Sequence, residues 1–204
     1  MMIVAIDGSC KHPGKPECFS TSSVFIEKDG DTQLILQYDE PSSSQRGEVI
    51  AMLLGIRKAE PGAVIVSDSE YVINTINREW YKNWQRNGWK SAAGNDVKHQ
   101  DLWMKIAEEL ANKHDLAFFH IKSHFISMGI KTAEKTLELF SDGSILYKEA
   151  LLKAAEIDFT DLNEAFQLIH GILPPQSTME KFVAANAVAD ITAKIHANKI
   201  QSER

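Results

Sequence analysis

The chain has 204 residues, of which 44% are hydrophobic and 25% charged, and its net charge is −6 at pH 7. This composition predicts one folded domain, or one domain with a large insertion, rather than a disordered or fibrous chain. The negative charge excludes a generally basic nucleic-acid-binding protein, so a bound polyanion would have to meet a local basic patch or metal ions.

The sequence shows neither a targeting signal nor a cysteine pattern typical of a metal site or a disulfide framework. No apolar stretch reaches the length of a membrane-spanning helix, and the first residues lack the basic and small-residue features of a secretory leader. We therefore expect a cytoplasmic protein. Cys10 and Cys18 match no zinc-binding spacing and are too few for a disulfide framework, so we interpret them as reduced and without a role.

The first third of the chain predicts three strands and a helix. Apolar, β-branched stretches predict strands over residues 2–6, 22–27 and 32–38, with a hairpin turn between the last two. Serines 42–44 precede apolar residues at helical spacing and so predict a capped, amphipathic helix. The later predicted elements are, in order, the helix at 48–58, a strand at 63–67, helices at 69–79 and 100–113, and a strand at 116–122.

This order of elements predicts an α/β fold. Its sheet is mixed and five-stranded, antiparallel at one edge, parallel at the other, and flanked by helices. Residues 125–180 break the alternation and predict short helices at 131–140, 145–156 and 161–170. Ser177 and Glu180 have the spacing of a capping box, which predicts that a last helix begins there and runs to about His196.

Two aspartates each follow an apolar strand. Asp7 ends the first predicted strand, and Asp68 ends the fourth. Ligands of open α/β sheets bind outside the carboxyl ends of strands, so these side chains are candidates for one site. Carboxylates in one cleft repel each other unless cations neutralise them, and Mg²⁺ prefers oxygen ligands. Taken alone, each Asp could equally be the cap of a turn or helix.

Six short motifs occur in the order found in a known family. They are Asp7-Gly8-Ser9, Ser43-Ser44-Gln45-Arg46-Gly47-Glu48, Ser67-Asp68-Ser69-Glu70-Tyr71-Val72, Trp84-Gln85-Arg86-Asn87-Gly88-Trp89-Lys90 with Asp101-Leu102-Trp103, His120-Ile121-Lys122-Ser123-His124, and Asn186-Ala187-Val188-Ala189-Asp190. Together they resemble the type 1 ribonuclease H family, and especially its bacterial subtype, which carries a Trp-rich basic handle like residues 80–98. The resemblance covers residues 2–124 and 177–197.

The resemblance implies a ribonuclease H-like fold, with residues 1–124 and 177–204 as the catalytic domain and 125–176 as a helical, acidic insertion. It implies an endonuclease that hydrolyses the RNA strand of RNA–DNA hybrids by two-metal-ion catalysis and leaves 5′-phosphate and 3′-hydroxyl ends. The implied catalytic, metal-binding residues are Asp7, Glu48, Asp68 and Asp190, with Asp7 bridging two Mg²⁺ ions that Mn²⁺ could replace. His124 would assist proton transfer or product release.

The resemblance also implies contacts with the hybrid. Binding the RNA strand requires polar groups that sense 2′-hydroxyls. The matching positions are Ser44, Gln45 and Glu70, where Ser44-Gln45 replaces the family's usual Asn pair and Glu70 replaces a Gln. Ser43 and His99 fall where the family has a Thr and an Asn near the DNA phosphate.

A basic stripe is predicted in the handle. Arg78, Lys82, Arg86 and Lys90 recur every four residues, so on one helix they would form a face that follows phosphates. A solvated helix face is the alternative. The neighbouring tryptophans are interpreted as core residues.

Residues 125–180 hold four Lys and nine acidic residues, which gives −5 of the total charge of −6. Such a segment repels phosphate, so we expect a helical cap or a surface for a protein partner, with a small core of its own. The residues expected in that core are Met128, Phe140, Leu151, Leu152, Phe166 and Ile169.

The protein is expected to be a monomer that binds RNA–DNA hybrid. Two other readings stay open. One is a nuclease of the same fold acting on DNA, such as a junction resolvase. The other is a non-catalytic interaction module.

Overall fold

The centre of the molecule is a mixed sheet. The structure, a computed structural model, describes residues 1–122 and 125–204. The strands are β1 (Met2–Lys11), β2 (Phe19–Lys28), β3 (Asp31–Asp39), β4 (Val64–Ser67) and β5 (Ala117–His120). Their order across the sheet is β3-β2-β1-β4-β5. β2 runs antiparallel to β1 and β3, whereas β1, β4 and β5 are parallel, which confirms the predicted mixed architecture.

Eight helices are formed by the described residues. They are α1 (Ser44–Lys58), α2 (Glu70–Asn77), α3 (Trp80–Arg86), α4 (Gln100–Asn112), α5 (Ile130–Leu139), α6 (Ser144–Ala154), α7 (Thr160–His170) and α8 (Gln176–Ser202). Ser43 caps α1, since its Oγ accepts a hydrogen bond from the Arg46 backbone N–H at 3.1 Å. Over the same described ranges, no helix combines the length and apolarity that crossing a bilayer would require.

Alternation along the strands divides the core into two layers. Val4 and Ile6 of β1 pack with α1 to α4 on one face of the sheet. Ile3 and Ala5 point the other way and pack with α5 to α8. Successive side chains of a strand leave opposite faces, so this central strand supports both layers. Its carboxyl end is therefore held by helices on both sides.

β1 extends further than the sequence predicted. The apolar run ends at Ile6, but the antiparallel pairing with β2 continues to Lys11 opposite Phe19. The parallel pairing with β4 stops earlier, at Ala5 opposite Val66. Polar side chains do not end a strand whose backbone groups still have a partner. Asp7 therefore lies within β1, just past the end of its pairing with β4.

The helices of residues 125–180 share the core of the sheet, so the expectation of a separate small core is wrong. Phe166 is buried in the same cluster as β1, and its ring lies 5.1 Å from that of Phe119 on β5. Tyr147 packs on Phe25 of β2, with 5.1 Å between the centres of the two rings. By contrast, Leu152 is 73% exposed, and Phe140 and Ile169 are about half exposed. The apolar face of the sheet is large enough to take these helices directly.

The last helix does not begin at the predicted capping box. α8 starts at Gln176, directly after Pro175, and no side chain caps its first turn. Glu180 accepts a hydrogen bond from the Gln176 side chain at 3.0 Å. The rigid Pro174-Pro175 pair fixes the start of the helix, so the Ser177 hydroxyl is not needed as a cap. The helix also continues past His196, to Ser202.

Candidate active site

Four carboxyl groups interact electrostatically around Asp7 of β1, and we call Asp7, Glu48, Asp68 and Asp190 the carboxylate cluster. Asp7 is only 8% exposed. Its pKa is raised well above the usual value, first by burial and then by the negative charges of Asp68, Asp190 and Glu48. Residues from β1, α1, the end of β4 and α8 thus act on one another electrostatically, although they are far apart in sequence.

Two glycines allow α1 to approach β1 and β2 closely, which brings Glu48 towards Asp7. A Cβ atom at Gly8 would lie 2.5 Å from the Glu48 backbone nitrogen and 2.6 Å from the Gly47 carbonyl carbon. A Cβ at Gly47 would lie 2.9 Å from Cβ of Ser20. Side chains cannot be accommodated at such distances, so glycine is required at both positions.

The loop after β4 is held by hydrogen bonds to its neighbours. Ser69 donates its hydroxyl to Glu48 Oε2 at 2.5 Å, which links the loop to α1. His120 Nε2 lies 3.1 Å from the backbone carbonyl oxygen of Asp68, to which it donates. His170 on α7 in turn accepts the His120 backbone N–H at 3.1 Å. The position of Asp68 is therefore supported by β5 and, through it, by α7.

Burial and local hydrogen bonding have opposite effects on Glu48. Burial is the larger influence and raises the pKa of Glu48, while the Ser69 hydroxyl lowers it and the charge of Asp68 raises it further. The result, as for Asp7, is a carboxyl group whose charged form lacks a sufficient counter-charge within the protein.

α8 contributes Asp190 and two neighbours that sequence reasoning did not assign to the site. Lys194, one turn later, places Nζ 2.7 Å from Asp190 Oδ2 and 2.6 Å from Oδ1. Asn186, one turn earlier, is 5% exposed, and its Oδ1 has no hydrogen-bond partner. It lines a small pocket with Asp68 and Asp190. Its spacing of four residues from Asp190 was the available sequence signal.

The carboxylate cluster has the donor chemistry of a divalent-cation site. Carboxylate oxygens are the ligands that Mg²⁺ and Mn²⁺ prefer. The raised pKa of Asp7 and the unpartnered Asn186 oxygen both indicate polar groups that a cation would stabilise. As arranged in the described part of the chain, no three His, Cys, Asp or Glu side chains are grouped tightly enough to hold a metal ion. In this arrangement the Lys194 ammonium group lies against both oxygens of Asp190.

The predicted substrate-contact residues lie at the starts of helices near the cluster. Ser44 and Gln45 are exposed in the first turn of α1, while the Ser43 hydroxyl already accepts a capping hydrogen bond. Glu70 is exposed at the start of α2. His99 precedes α4 in a left-handed conformation, and its pKa is lowered mainly by burial and then by the positive charge of Arg46.

Arg46 organises this surface, a role that the sequence analysis missed. Its Nε donates to Asp39 Oδ2 at 2.9 Å, and both terminal nitrogens donate to the Asp101 carboxylate at 3.0 Å. One guanidinium group thereby joins β3, α1 and α4. Such a forked, two-oxygen contact is the geometry that distinguishes Arg from Lys.

The predicted basic stripe does not form on one helix. α2 ends at Asn77, and Glu79 adopts a left-handed conformation before α3 begins at Trp80. A second turn after Arg86 leads to Lys90, which pairs with Asp96 at 2.5 Å, and Lys82 pairs with Glu79 at 2.5 Å. The four-residue spacing predicted a continuous helix, but two breaks change the direction of the chain. Lys82 and Arg86 alone share a helix.

The tryptophans of the handle pack largely as expected. Trp84 and Trp89 lie against the core, and the Trp84 ring is 5.8 Å from the fully buried Trp103. The prediction for His124 lies outside the described residues.

Comparisons with known proteins match this fold. The family model described as RNase H matches residues 1–136. A ribonuclease H of Clostridium botulinum is 30% identical over 125 residues, which cover 60% of this chain and 83% of that protein. A ribonuclease H of Francisella tularensis subsp. novicida is 32% identical over 136 residues, covering 66% and 86%. The match to the family model ends before α8, so the position of Asp190 rests on the structure.

Solved structures support the same architecture. The PFV RNase H domain aligns with a TM-score of 0.53 and 24% identity, covering 71% of this chain and 94% of that domain. LC9-RNase H1, described as a type 1 RNase H with the type 2 active-site motif, aligns with a TM-score of 0.50 and 20% identity, covering 60% and 63%. These likenesses concern the fold.

The family model and the relatives identify the chain as a nuclease, which is a hydrolase. The family model covers residues 1–136 of 204, which is well over half of the chain. The chain belongs to the ribonuclease H family.

Proposed function

We propose that the protein is an endoribonuclease that hydrolyses the RNA strand of RNA–DNA hybrids and leaves 5′-phosphate and 3′-hydroxyl ends. The observation that carries the proposal is Asp7, buried within β1 and surrounded by three further negative charges from distant parts of the chain. Family membership gives the reaction class. A stable fold gains nothing from such crowding, whereas a site for cations requires it.

Asp7, Glu48, Asp68 and Asp190 would hold two Mg²⁺ ions, with Mn²⁺ as a possible replacement. When bound, such a pair lowers the pKa of an attacking water and stabilises the leaving oxygen. The protein's own residues position the ligands. Ser69 orients Glu48, and His120 holds the backbone of Asp68. These supporting hydrogen bonds fix carboxylate directions in the way that outer-shell partners do around metal sites.

Hybrid binding would use the surface formed by the starts of α1, α2 and α4. Ser44 and Gln45 are exposed there and could exchange hydrogen bonds with 2′-hydroxyls. The Glu70 carboxylate can accept a hydrogen bond from a hydroxyl but repels phosphate. We therefore expect it to face the sugars of the RNA strand rather than the phosphates. Ser43 and His99 would approach the DNA phosphate.

The basic residues of the handle would each add electrostatic affinity for the hybrid, although they do not form one continuous stripe. Lys82 and Arg86 project from α3, and Arg78 lies 5.8 Å from the centre of the Trp80 ring. Lys90 must exchange Asp96 for a phosphate. Each phosphate contact adds to the salt dependence of binding. We expect this dependence to fall when Arg86 is replaced by Gln, with no change in the preferred sequence.

Residues 125–176 would support the fold and the site rather than bind nucleic acid, with 1–124 and 177–204 as the catalytic part. α7 reaches the site through the His170–His120 hydrogen bond. The acidic outer surface would suit a protein partner, and the catalytic unit would act as a monomer. His124 would assist proton transfer or product release.

The test is cleavage of a hybrid with labelled RNA, with Mg²⁺, with Mn²⁺ and with EDTA. We expect cleavage with either metal, none with EDTA, and a loss of at least about 100-fold in Asp7→Asn. Asp115→Asn is the matched control, because Asp115 is exposed at the opposite end of the parallel strands and its left-handed conformation suits Asn. Equal cleavage by Asp7→Asn and the native protein would refute the proposal. Preferential cleavage of branched or duplex DNA would instead identify the protein as a nuclease that acts on DNA.

A further inference from the structure

The two cysteines lie together at the end of β1. Cys10 Sγ and Cys18 Sγ are 2.9 Å apart, although seven residues separate the two in the chain. This distance is shorter than ordinary contact between two thiols. Both cysteines are in the free form, Cys18 is buried and Cys10 is partly exposed. Their spacing in the sequence alone predicted no role for either cysteine.

The loop between them is shaped to hold the two sulfurs on one side. β1 and β2 remain paired up to Lys11 and Phe19, so Cys10 and Cys18 stand at the end of that antiparallel pair that the connecting loop closes. The connecting loop bends back through hydrogen bonds from Lys15 N–H to His12 carbonyl at 3.1 Å and from Cys18 N–H to Lys15 carbonyl at 3.0 Å. No rearrangement of the sheet is needed for the sulfurs to meet.

The pair is connected to the segment proposed to contact RNA. The Cys18 carbonyl accepts the Ser42 backbone N–H at 2.9 Å. Ser42 is also tied to β2, since its hydroxyl shares a hydrogen bond of 2.5 Å with the Ser20 hydroxyl. Ser43, the next residue, caps α1, whose first turn carries Ser44 and Gln45. Restraining Cys18 therefore restrains the start of α1.

We propose that Cys10 and Cys18 are a modification site: they form a reversible intramolecular disulfide that fixes the start of α1, the RNA-contacting segment. The oxidant would be a low-molecular-weight disulfide such as oxidised glutathione. The effect on substrate binding rests on the proposed function, whereas formation of the bond does not.

The chemistry balances as two thiol–disulfide exchanges. The Cys10 thiolate attacks one sulfur of oxidised glutathione, forms a mixed disulfide and releases one glutathione thiolate. The Cys18 thiolate then attacks the Cys10 sulfur, forms the internal bond and releases the second glutathione. Two protein thiols are oxidised, one glutathione disulfide is reduced to two thiols, and the two protons lost by the cysteines are taken up by the departing thiolates.

The order of the two steps follows from the environments of the sulfurs. Burial, followed by the hydrogen bond with Cys10, raises the pKa of the Cys18 thiol to about 11. Cys18 is thus a poor first nucleophile, while the more exposed Cys10 meets the oxidant. Once Cys10 is activated as a mixed disulfide, the adjacent Cys18 sulfur is already in place to resolve it.

The test treats the full chain with oxidised glutathione and follows both cysteines by mass spectrometry. The expected product is a monomer lighter by two hydrogens, resistant to alkylation, and restored by a dithiol reductant. Hydrogen exchange of the Ser42 to Arg46 amides should slow at least about 3-fold, and the melting temperature should rise by several degrees. A protein that stops at the mixed disulfide, dimerises through sulfur, or forms the bond without slowing exchange would overturn the proposal.

Cys10→Ser is the informative variant, because Cys10 is partly exposed and the change keeps its size. It should fold, take up one glutathione at most, and show no slowing of exchange after oxidation. Hybrid affinity is measured in parallel on the oxidised and reduced protein, and we expect a difference of about 3-fold or more. If the disulfide forms and exchange slows while neither state cleaves or binds hybrid, the proposed function fails and the modification site stands. If hybrid is cleaved and no disulfide forms, the proposed modification site fails and the proposed function stands.

Discussion

The carboxylate cluster and the face of the sheet covered by α5 to α8 are built on opposite principles. Around Asp7, burial and like charges raise the pKa of a carboxyl group, so the ionised site costs folding energy. Across the sheet, Phe166, Tyr147 and their neighbours bury apolar surface and stabilise the fold. Stability supplied on one face therefore supports a strained arrangement at the end of the same strands.

The contrast also separates what the sequence could predict from what it could not. The mixed sheet, antiparallel at one edge and parallel at the other, followed from the order of the predicted elements. The choice of Asp7, Glu48 and Asp68 as candidates followed from apolar runs that end in polar residues and from motif order. The packing of residues 125–180 onto the main sheet did not follow, because helical periodicity does not show which apolar surface a helix covers. Phe166 and Leu152 look alike in sequence, yet one is buried and the other 73% exposed.

Contacts between side chains that are distant in the sequence could not be predicted either. Arg46 joins Asp39 and Asp101, and Cys10 meets Cys18, through folding that spacing alone does not reveal. The basic stripe failed for a local reason, since the left-handed residue Glu79 interrupts a regular four-residue spacing. Whether the cluster binds metal, and whether these residues catalyse, stays a prediction.

The largest expected effect on stability comes from the apolar face. Phe166→Ala removes a fully buried ring from the cluster shared by α7 and the sheet, and should cost about 3–5 kcal/mol. Chemical denaturation measures it. Leu168→Ala on the same helix is the control, because Leu168 is 87% exposed and its loss should change stability by less than about 0.5 kcal/mol. Similar values for both variants would mean that α7 does not belong to the core.

A smaller loss is expected where α1 meets β1. Gly8→Ala places a methyl group 2.5 Å from the Glu48 backbone nitrogen, so α1 must move and take Glu48 with it. We expect a destabilisation of about 1–3 kcal/mol together with reduced hybrid cleavage. At Gly129 the new methyl group would make only an ordinary contact, with Thr132 Oγ1 at 3.7 Å, so Gly129→Ala should retain activity. Full activity in Gly8→Ala would show that the spacing of Glu48 from Asp7 is not critical.

Neutralising the buried aspartate should stabilise the protein while abolishing cleavage. In EDTA, Asp7→Asn should melt about 2–4 °C above the native protein at pH 8, for a gain near 1 kcal/mol. Because the pKa of Asp7 is raised on folding, its penalty grows as pH rises above the ordinary Asp value and fades as pH falls. The gain should thus be smaller at pH 5 than at pH 8. A variant less stable than the native protein at pH 8 would contradict the strain inferred for the cluster.

The smallest effect concerns the link between the two regions. Burial lowers the pKa of His170, whose neutral ring accepts the His120 backbone N–H. Its stabilising contribution is therefore complete above the ordinary His pKa and is lost as pH falls through the lower folded value. Between pH 7.5 and 5.5 the native protein should lose up to about 1 kcal/mol more than His170→Gln, which keeps an acceptor and does not titrate. If the melting temperatures of both proteins depended on pH in the same way, His170 would not make this contribution to stability.

The most direct test of the central claim is a calorimetric titration of the protein with Mn²⁺ and Mg²⁺ without substrate, applied to the native protein, Asp7→Asn, Asp190→Asn and the control Asp115→Asn. We predict that the native protein and the control bind metal alike, and that both cluster variants bind at least about 10-fold more weakly. Native-like metal binding by Asp190→Asn would contradict the account, because the carboxylate from α8 would then not belong to the site.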